Sequence, residues 1–553
     1  MLNGAQILLE VLKEQKVDTI FGYPGGFVLN IYDEIYGAAD WLNHVITCHE
    51  QGAAHAADGY ARATGKTGVV IATSGPGATN LVTGIANAYL DSIPMIAITG
   101  NVPQDFIGRD SFQEVDIKGI TMPITKHNYM VKDVEKLADI VREAFFLAST
   151  GRKGPVLIDI PKDVQLAKCE YTPAKETRKM NAKAPTAAML KEAAELIAAS
   201  KRPFIYAGGG VVATDASKDL LEFAEKLGAP IGTSMMGLSA VPRSHPLMLG
   251  MSGMHGNFAS TKAMGRSDLI IGIGARFSDR ATGKKSEFSK NRKVLHIDID
   301  PAEIGKNIPA YVAMHADVKE ALQALNRIPL HKSDPEWLQE VNEYKQSNDN
   351  RTVMNNAVLN PYLVLQSVAK RVPQDARIAT DVGQHQMWTA QFYPFQQPRT
   401  FITSGGLGTM GFGMGAAIGA CIGSGKKTVL ITSDGSFHMN MNELATAVSN
   451  RLPLVVLVLN NSVLGMVRQW QTMFFDKRYS STTLERKTDY VKLAEAFGAK
   501  GLRISQLDEL DTVLDQALSM EEPVVVDIVI DRDEMVFPMI PPNGTINQMI
   551  IRG

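Results

Sequence analysis

Short apolar runs recur along the whole chain and alternate with segments in which apolar residues are three or four positions apart. Continuous β-branched runs are typical of strands buried on both faces of a parallel sheet. The wider spacing is typical of amphipathic helices such as residues 53–60 and 80–89. The alternation predicts an α/β protein with doubly wound, mostly parallel sheets throughout. The predicted strands are residues 19–21, 45–48, 69–72, 95–98, 156–160, 204–207, 269–273, 294–299, 378–380, 429–432, 454–459 and 524–530.

Two polar, charged segments without strand-like runs, residues 168–183 and 332–351, divide the chain into thirds. We therefore expect domains at residues 1–167, 185–331 and 355–553. The first and last thirds close on similar sequences, residues 154–160 and 522–528, in which a proline precedes an apolar strand containing one aspartate. This similarity predicts two related domains on either side of a different one.

The composition narrows the class of protein. A length of 553 residues with 45% hydrophobic and 21% charged residues is ordinary for a globular protein of about three or four domains. The formal net charge of −2 gives no electrostatic footprint for nucleic acid. Three cysteines without Cys-x-x-Cys spacing argue against disulfides or a zinc site, and no window approaches a membrane span of about 20 apolar residues. We expect a cytoplasmic protein that binds neither nucleic acid nor membrane.

The clearest chemical signal is a predicted strand–helix–strand unit at residues 429–461. Asp434 and Asn461 follow its two strands, and the carboxyl ends of parallel strands form the ligand-binding edge of such sheets. A carboxylate and an amide oxygen suit Mg²⁺, which usually also binds phosphate oxygens, and Gly435 allows a phosphate to approach closely. The spacing matches the thiamine diphosphate signature, except that Ser433 stands where the signature begins with glycine.

A second candidate is Glu50, which follows a predicted strand and opens a helix of small residues. Thiamine diphosphate needs a carboxyl group against N1′ of its aminopyrimidine, and a partly desolvated Glu can share that proton because burial favours its neutral form. The alternative is that Glu50 only caps the helix through the N-terminal dipole. The Gly-rich turn at residues 73–80 lacks a Walker lysine, so it is a weak phosphate-binding signal on its own.

Longer matching stretches lie in all three thirds, at residues 22–26, 49–55, 111–114, 125–127, 160–164, 274–277, 381–388, 405–411 and 465–470. Through them the sequence resembles, over essentially its whole length, the catalytic large subunits of the acetohydroxyacid synthase (acetolactate synthase) family. The resemblance implies a pyrimidine-binding first domain, a central FAD-binding domain and a diphosphate-binding last domain, with thiamine diphosphate, Mg²⁺ and FAD as cofactors. It also implies a homodimer or homotetramer, because the family builds each active site from the first domain of one subunit and the last domain of another.

The resemblance assigns cofactor contacts residue by residue. Glu50 matches the activating glutamate, and Asp434, Asn461 and the backbone oxygen of Val463 match the metal ligands. Met410 matches the bulky apolar residue that holds the cofactor in its bent conformation. The other cofactor-binding positions that we expect are Val382, Gly383, Gln384, His385, Gly408, Gly435 and Ser436 in the last domain and Gly208, Gly209, Arg276, Arg280 and Asp300 in the central domain.

The family decarboxylates pyruvate on thiamine diphosphate and joins the remaining two-carbon unit to a second 2-oxo acid. Pyruvate as acceptor gives 2-acetolactate and 2-oxobutyrate gives 2-aceto-2-hydroxybutyrate, for valine, leucine and isoleucine biosynthesis. By resemblance, Arg276 clamps the acceptor's carboxylate and Trp470 favours the extra methylene of 2-oxobutyrate. The other positions that match the family's cleft are the candidate catalytic residues Glu50, Gln113 and Lys162 and the candidate substrate contacts Met254 and His255.

Three other functions stay open at this point: a flavin-free catabolic acetolactate synthase, an FAD-dependent pyruvate oxidase, and a catalytically silent thiamine diphosphate-binding protein. The acceptor-binding pair argues against the first two, and the intact activating and metal-binding residues argue against the third. Ser278 replaces an aspartate that the family commonly has beside the flavin. No segment resembles a regulatory domain, so we expect a separate small regulatory subunit.

Overall fold

The computed structural model describes residues 1–178, 180–290, 292–347 and 355–551, and it contains three parallel sheets of six strands each. Hydrophobic cores lie on both faces of the sheets, because alternate residues of one strand point to opposite sides. In the last sheet, for example, Val455 and Leu457 belong to one core, whereas Val456 and Val458 belong to another. The predicted doubly wound α/β fold is confirmed. None of the helices in the described part of the chain is long and apolar enough to span a membrane.

The N-terminal third forms the first sheet. Its strands are Leu2–Asn3 (β1), Thr19–Gly22 (β2), Asn43–Ile46 (β3), Gly68–Ala72 (β4), Met95–Asn101 (β5), His127–Met130 (β6), Pro155–Pro161 (β7) and Lys168–Cys169 (β8). The sheet order is β3-β2-β4-β5-β7-β6, and β1 pairs separately with β8 in an antiparallel ribbon. Its α-helices are Gly4–Glu14, Leu29–Gly37, Glu50–Thr64, Pro76–Asn80, Val82–Asp91, Ile117–Thr121, Leu137–Ser149 and Lys162–Leu166.

The middle third forms the second sheet. Its strands are Pro203–Ala207 (β9), Ile231–Thr233 (β10), Met248–Met251 (β11), Leu269–Ile273 (β12), Lys293–Asp298 (β13) and Val312–His315 (β14), in the order β11-β10-β9-β12-β13-β14. Its α-helices are Ala187–Ala198, Gly209–Ala213, Ser217–Leu227, Phe258–Arg266, Asp279–Thr282, Lys285–Phe288 and Val318–Arg327, followed by Pro335–Ser347.

The last third forms the third sheet. Its strands are Arg377–Thr380 (β15), Phe401–Ile402 (β16), Thr428–Ser433 (β17), Leu454–Asn460 (β18), Lys500–Ile504 (β19) and Val524–Val529 (β20), in the order β16-β15-β17-β18-β20-β19. Its α-helices are Pro361–Arg371, Gln384–Phe392, Phe412–Ser424, Asp434–Asn440, Leu444–Ser449, Gly465–Phe474, Tyr490–Ala496 and Leu510–Ser519.

The first and last sheets share one topology. Counted along the chain, their strands lie in the order second, first, third, fourth, sixth, fifth, whereas the central order is third, second, first, fourth, fifth, sixth. Two domains of one topology therefore flank a different one, as the closing sequences predict. The order reverses between β2 and β4, between β9 and β12, and between β15 and β17. Ligands of open α/β sheets bind at such switch points, beyond the carboxyl ends of the strands.

The structure departs from the predicted elements mainly at the sheet edges. Each strand predicted from an apolar run overlaps an observed strand. The strands β1 and β8 of the separate ribbon were not predicted, and within the three sheets neither were β6, β10, β11, β14, β16 and β19. Five of these are edge strands and β10 has three residues, so their sequences lack the long apolar run of a strand buried on both sides. The helix predicted at residues 80–89 is confirmed as Val82–Asp91, which begins two residues later, and a separate short helix, Pro76–Asn80, precedes it.

The two charged segments are more ordered than the sequence predicts. The first begins with β8, and the second contains the helix Pro335–Ser347, whose buried Trp337 donates from Nε1 to the carbonyl of Pro203 at 2.9 Å. Residues 179 and 348–351 of these segments lie outside the described residues, as do residues 552 and 553 at the end of the third predicted domain.

One helix pair joins the first domain to the last. Helix Glu50–Thr64 packs on Phe412–Ser424, and both helices are rich in small residues. A Cβ on Gly59 would lie 2.0 Å from the carbonyl oxygen of Ala416, and one on Gly419 would lie 1.8 Å from that of Ala56. The two backbones therefore touch, which fixes the helix that begins at Glu50 against the last domain.

Candidate active site

Glu50 is the first residue of helix Glu50–Thr64 rather than its cap. The N-cap is His49, whose Nδ1 accepts from the backbone N–H of Gln51 at 3.1 Å. The half-buried Glu50 carboxylate instead accepts from Nδ2 of Asn80 at 2.9 Å. Glu50 is therefore not the capping residue, although it lies in the first turn, where the helix dipole favours an anion. Its carboxylate is directed toward the Gly-rich turn at residues 73–80.

The other candidate catalytic residues of the first domain border the same turn. A Cβ on Gly75 would lie 2.8 Å from the carbonyl oxygen of Gln113, and one on Gly77 would lie 3.3 Å from Oε1 of Glu50. Gly75 has φ +61°, a left-handed conformation that favours glycine. The turn therefore places Gln113 and Glu50 near one another, at the switch point of the first sheet.

Lys162 lies on another side of this turn. Its Nζ is 5.9 Å from the ring centroid of Phe27, and the Phe27 backbone N–H donates to Oγ1 of Thr73 at 3.3 Å. Lys162 begins a short helix directly after β7 and is half-buried. Its ammonium group thus lies at the carboxyl edge of the first sheet.

Asp434 lies at the switch point of the last sheet. It begins helix Asp434–Asn440 directly after β17, and its side chain is buried. Its Oδ1 atom is buried without a hydrogen-bond partner among the described residues. Burial raises the pKa of Asp434 to about 6, and nearby backbone N–H groups act in the opposite direction. A buried carboxylate oxygen without a partner is a ready ligand for a cation.

Ser433, the departure from the signature, caps the helix that Asp434 begins. Its Oγ accepts from the backbone N–H of Ser436 at 3.4 Å, and its φ of −130° is an ordinary extended conformation. This position therefore does not require glycine. In turn, Oγ of Ser436 donates to the carbonyl of Val382 at 3.0 Å, which ties the ends of β15 and β17 together.

Asn461 and the turn after β15 meet across the same edge. Asn461 donates from Nδ2 to Oε1 of Gln384 at 3.3 Å, while its Oδ1 accepts from the backbone N–H of Val463 at 3.3 Å. Gly465 lies directly beside them, and a Cβ there would lie 1.9 Å from Oε1 of Gln384 and would displace that side chain. Gly383 has φ +151° and lies against the buried ring of His385, so this turn also depends on glycine.

The loop between β16 and helix Phe412–Ser424, which we call the Met410 loop, lies next to Asp434. Met410 Cε lies 3.9 Å from the position of a Cβ on Gly435, and Gly408 has φ +71°. The backbone N–H of Gly411, the next residue, donates to Oδ1 of the buried Asp381 at 2.8 Å. Met410 thereby lies near the turn after β15 and the predicted metal ligands.

Two first-domain residues hold the same loop. Asn87 Oδ1 accepts from the hydroxyls of Ser404 and Thr409, and the Asp91 carboxylate accepts from the backbone N–H groups of Gly405 and Gly406. A buried ion pair with Arg62, 2.9 Å long, orients Asp91. The loop that presents Met410 is thus shaped by both outer domains.

Two of the predicted substrate residues, Trp470 and Met254, lie around the side chain of Arg280. The Arg280 guanidinium carbon lies 5.9 Å from the ring centroid of Trp470, and its Nη1 lies 3.4 Å from Sδ of Met254. The carbonyl of His255 accepts from Nε2 of Gln391 at 2.9 Å. Arg280, predicted as a flavin contact, is therefore the guanidinium that lies over the indole.

Arg276 has a different environment. It is half-buried, and its charge acts on Tyr206 and Glu303 of the central domain. Ser278, the second departure from the family pattern, is exposed, and its carbonyl accepts from the hydroxyl of Thr282 at 3.0 Å. The change from aspartate to serine therefore leaves the start of the short helix Asp279–Thr282 intact.

The glycines predicted to contact a flavin lie at the switch point of the central sheet. A Cβ on Gly208 would lie 2.1 Å from the carbonyl oxygen of Gly274, and one on Gly209 would lie 3.1 Å from Cβ of Met236. Asp300 is held by the first domain through an ion pair of 3.2 Å with Arg152. The hydroxyl of Thr233, at the end of β10, is buried without a partner among the described residues.

Several residues of the site were not predicted from the sequence. Asn80 lies inside the Gly-rich stretch, so its pairing with Glu50 had a sequence signal. Asp381 begins the matching stretch 381–388, but its contact with the Met410 loop was not predicted. Asn87 and Asp91 act through backbone groups and hydroxyls of that loop, which leaves no motif. Glu443 lies on a helical segment without any pattern of its own, yet it contacts the residues just before Glu50.

Comparison with known proteins gives a match in each of the three domains. Residues 2–120 match the thiamine pyrophosphate enzyme N-terminal TPP binding domain, residues 190–325 the central domain, and residues 381–528 the C-terminal TPP binding domain of the same enzymes. These ranges include Glu50 at one end and Asp434 and Asn461 at the other. Thiamine pyrophosphate is another name for thiamine diphosphate, so the predicted organic cofactor is supported.

Whole-length relatives share nearly half of the sequence. The acetolactate synthase isozyme 2 large subunit of Escherichia coli (strain K12) is 46% identical over 550 residues, covering 99% of both chains. Acetolactate synthase of Mycobacterium bovis is 46% identical and covers 99% of this chain and 91% of the relative. A probable acetolactate synthase large subunit of Methanocaldococcus jannaschii is 45% identical, covering 99% and 95%. The chain belongs to the acetolactate synthase large-subunit family of thiamine pyrophosphate enzymes.

Proposed function

We propose that this protein decarboxylates pyruvate and transfers the resulting two-carbon unit to pyruvate or 2-oxobutyrate, for branched-chain amino acid biosynthesis. The observation that carries the proposal is the cluster of Trp470, Arg280 and Met254. Trp470 lies on the helix that follows β18, at the carboxyl edge of the last sheet, where Asp434 also lies. An apolar ring beside a guanidinium group suits a small acid with both a carboxylate and an alkyl end. A pyruvate oxidase has no second 2-oxo acid to bind.

Bound thiamine diphosphate supplies a nucleophilic carbon and an electron sink for decarboxylation. In our proposal Glu50 shares a proton with N1′ of the aminopyrimidine, and its contact with Asn80 holds the carboxylate in place. Gln113 and Lys162 border the same cleft and orient the carboxylate of pyruvate. Met410 would support thiamine diphosphate, because its loop is held by Asp381 of the last domain and Asp91 of the first.

Mg²⁺ fits the donor set at the last sheet. Asp434 offers a buried carboxylate oxygen without a partner, and Asn461 offers an amide oxygen at the end of the next strand. Among the described residues there is no cluster of three or more His, Cys, Asp or Glu side chains that could hold a metal. One carboxylate with an amide and the Val463 carbonyl is the hard, mixed oxygen set that Mg²⁺ uses together with phosphate oxygens. Val382, Gly383, Gln384, His385, Gly408, Gly435 and Ser436 would enclose the diphosphate.

FAD fits the central domain. Gly208 and Gly274 approach each other at the switch point between β9 and β12, where dinucleotides bind in sheets of this order. The buried Thr233 hydroxyl at the same edge lacks a partner among the described residues. Carboligation involves no net electron transfer, so a flavin held by Gly208, Gly209, Arg276, Arg280 and Asp300 would serve as structure rather than as oxidant.

We also propose a homodimer or homotetramer with a separate small subunit. The contacts of Glu50 are with its own domain, and large apolar side chains near both half-sites are exposed. They include Tyr23, Leu29 and Phe112 in the first domain and Leu407 and Met439 in the last. A second copy would cover these side chains and bring a first domain to a last domain. The relatives named large subunits imply a small partner. As domain boundaries we propose residues 1–167, 185–331 and 355–553.

Product analysis with an oxygen electrode tests this function. The purified protein should be yellow, should form 2-acetolactate from pyruvate, and should form 2-aceto-2-hydroxybutyrate when 2-oxobutyrate is added. Oxygen uptake should not be stoichiometric with pyruvate consumed. Stoichiometric uptake with acetyl phosphate formation would instead identify a pyruvate oxidase. A colourless protein that makes acetolactate would identify a flavin-free synthase.

A further inference from the structure

A buried carboxylate of the last domain is bonded to the chain that leads into Glu50. Oε1 of Glu443 accepts from the backbone N–H of His49 at 3.0 Å, and its Oε2 accepts from that of Cys48 at 3.2 Å. The Thr446 hydroxyl donates to Oε2 at 2.6 Å. Glu443 is fully buried, so these three donors take the place of water.

The two backbone donors occupy a critical place. Cys48 and His49 connect β3 to helix Glu50–Thr64, and their N–H groups lie outside the hydrogen bonds of either element. By accepting from both, the carboxylate fixes two consecutive peptide planes directly before Glu50. The direction in which the Glu50 side chain leaves the backbone depends on these planes.

The first domain has a glycine where this contact needs space. A Cβ on Gly52 would lie 2.2 Å from Oε1 of Glu443, so an alanine there would displace the carboxylate. Burial raises the pKa of Glu443, and the bonds from Thr446, Cys48 and His49 oppose that rise. Burying a carboxyl group costs free energy even when several donors bind it. Apolar contacts would hold the two domains together without this cost, so the buried Glu443 indicates a more specific role.

We propose that Glu443 is a positioning residue for Glu50: it sets the backbone from which the activating carboxylate reaches the cofactor. This inference rests on the proposed role of Glu50. A displacement of about 1 Å in a reacting group can slow catalysis on the order of 100-fold. The last domain thus contributes to cofactor activation through a residue that does not touch the cofactor.

Glu443→Gln is the main test. Glutamine keeps the size but has one acceptor oxygen, so one of the two N–H groups would face an amide NH₂ instead. Two readouts are measured: hydrogen–deuterium exchange of the peptide containing residues 47–52 without cofactor, and exchange of the C2 proton of bound thiamine diphosphate in the holoenzyme. We expect faster amide exchange at Cys48 and His49 and C2 exchange slowed about 10- to 100-fold.

Two variants of the same contact serve as comparison. Thr446→Val removes the hydroxyl donor and leaves both backbone bonds, so it should slow C2 exchange less than Glu443→Gln does. Cys48→Ala removes the thiol that lies 3.7 Å from the Thr446 hydroxyl but keeps the backbone N–H. The C2 proton of its bound thiamine diphosphate should therefore exchange at the parent rate. Thermal unfolding of each protein shows whether loss of exchange merely follows loss of folded protein.

The outcomes separate this inference from the proposed function. Glu50→Gln, measured in parallel, should abolish most C2 exchange, and parent-like exchange there would remove Glu50 from its role. Slow exchange in Glu50→Gln with parent-like exchange in Glu443→Gln would overturn the positioning role alone. If Glu443→Gln does not fold, Thr446→Val decides: slower C2 exchange supports the role and an unchanged rate overturns it.

Discussion

Trp470→Leu should reduce the preference for 2-oxobutyrate over pyruvate as acceptor while 2-acetolactate formation from pyruvate stays largely intact. The indole is half-buried, lies edge-on to Phe474 at 5.9 Å and has Arg280 at 5.9 Å on its ring. In our proposal the terminal methyl of 2-oxobutyrate packs on the free part of this ring. Pyruvate lacks that methyl, so the change acts on one acceptor only.

The magnitude follows from one methylene in a partly open pocket. A fully enclosed methylene gives about 1–3 kcal/mol of discrimination, and leucine retains part of the apolar contact. We therefore expect a loss of about 1–2 kcal/mol, which is roughly tenfold in the product ratio. The assay supplies both acids together and quantifies 2-acetolactate and 2-aceto-2-hydroxybutyrate. The matched control is Phe475→Leu, an aromatic residue of the same pocket that is 51% exposed.

An unchanged product ratio in Trp470→Leu would refute this reasoning, as would an equal change in the Phe475→Leu control. The arginines give a second check, because every acceptor carries a carboxylate. Replacement of the arginine that binds this group by lysine should slow both products alike, since lysine cannot present a planar fork. Arg276→Lys and Arg280→Lys in the same assay identify which guanidinium binds the acceptor.

Two further predictions concern buried carboxylates. Asp434→Asn should weaken Mg²⁺-dependent retention of thiamine diphosphate more than about tenfold in equilibrium dialysis, because even outer-shell partners of a metal contribute that much; unchanged affinity would place the metal elsewhere. Burial raises the pKa of Asp159 to about 7. Between about pH 4 and 7 the folded state therefore keeps a proton that the unfolded state has released. The free energy of unfolding should fall by roughly 1.4 kcal/mol for each unit that the pH rises through this range. Melting temperatures measured across this pH range should fall less in Asp159→Asn than in the parent protein, because asparagine does not titrate. The control Asp508→Asn, at an exposed position, should fall as the parent does. Equal pH profiles for Asp159→Asn and the parent would contradict the assignment.

The sequence determined the parts of the fold and site that depend on local pattern. Strands buried on both faces need continuous apolar runs, so the central strands of all three sheets were predictable. Asp434 and Asn461 follow strands directly and Glu50 follows one after a short connection, so their place at the carboxyl edge follows from the strand–helix alternation. Edge strands such as Lys500–Ile504 were missed, because one exposed side removes the apolar run.

The tertiary structure alone decided which distant residues meet. Glu443 lies almost 400 positions after the backbone that it holds, and Arg280 meets Trp470 from another domain. No periodicity records such pairs, because they depend on how the domains pack rather than on neighbours along the chain. Helices Glu50–Thr64 and Phe412–Ser424 set that packing through their close contact. The contact depends on glycines, and the sequence does not indicate which backbone each glycine will meet. The motifs therefore identified the functional residues, whereas the contact between domains determined how their side chains are oriented.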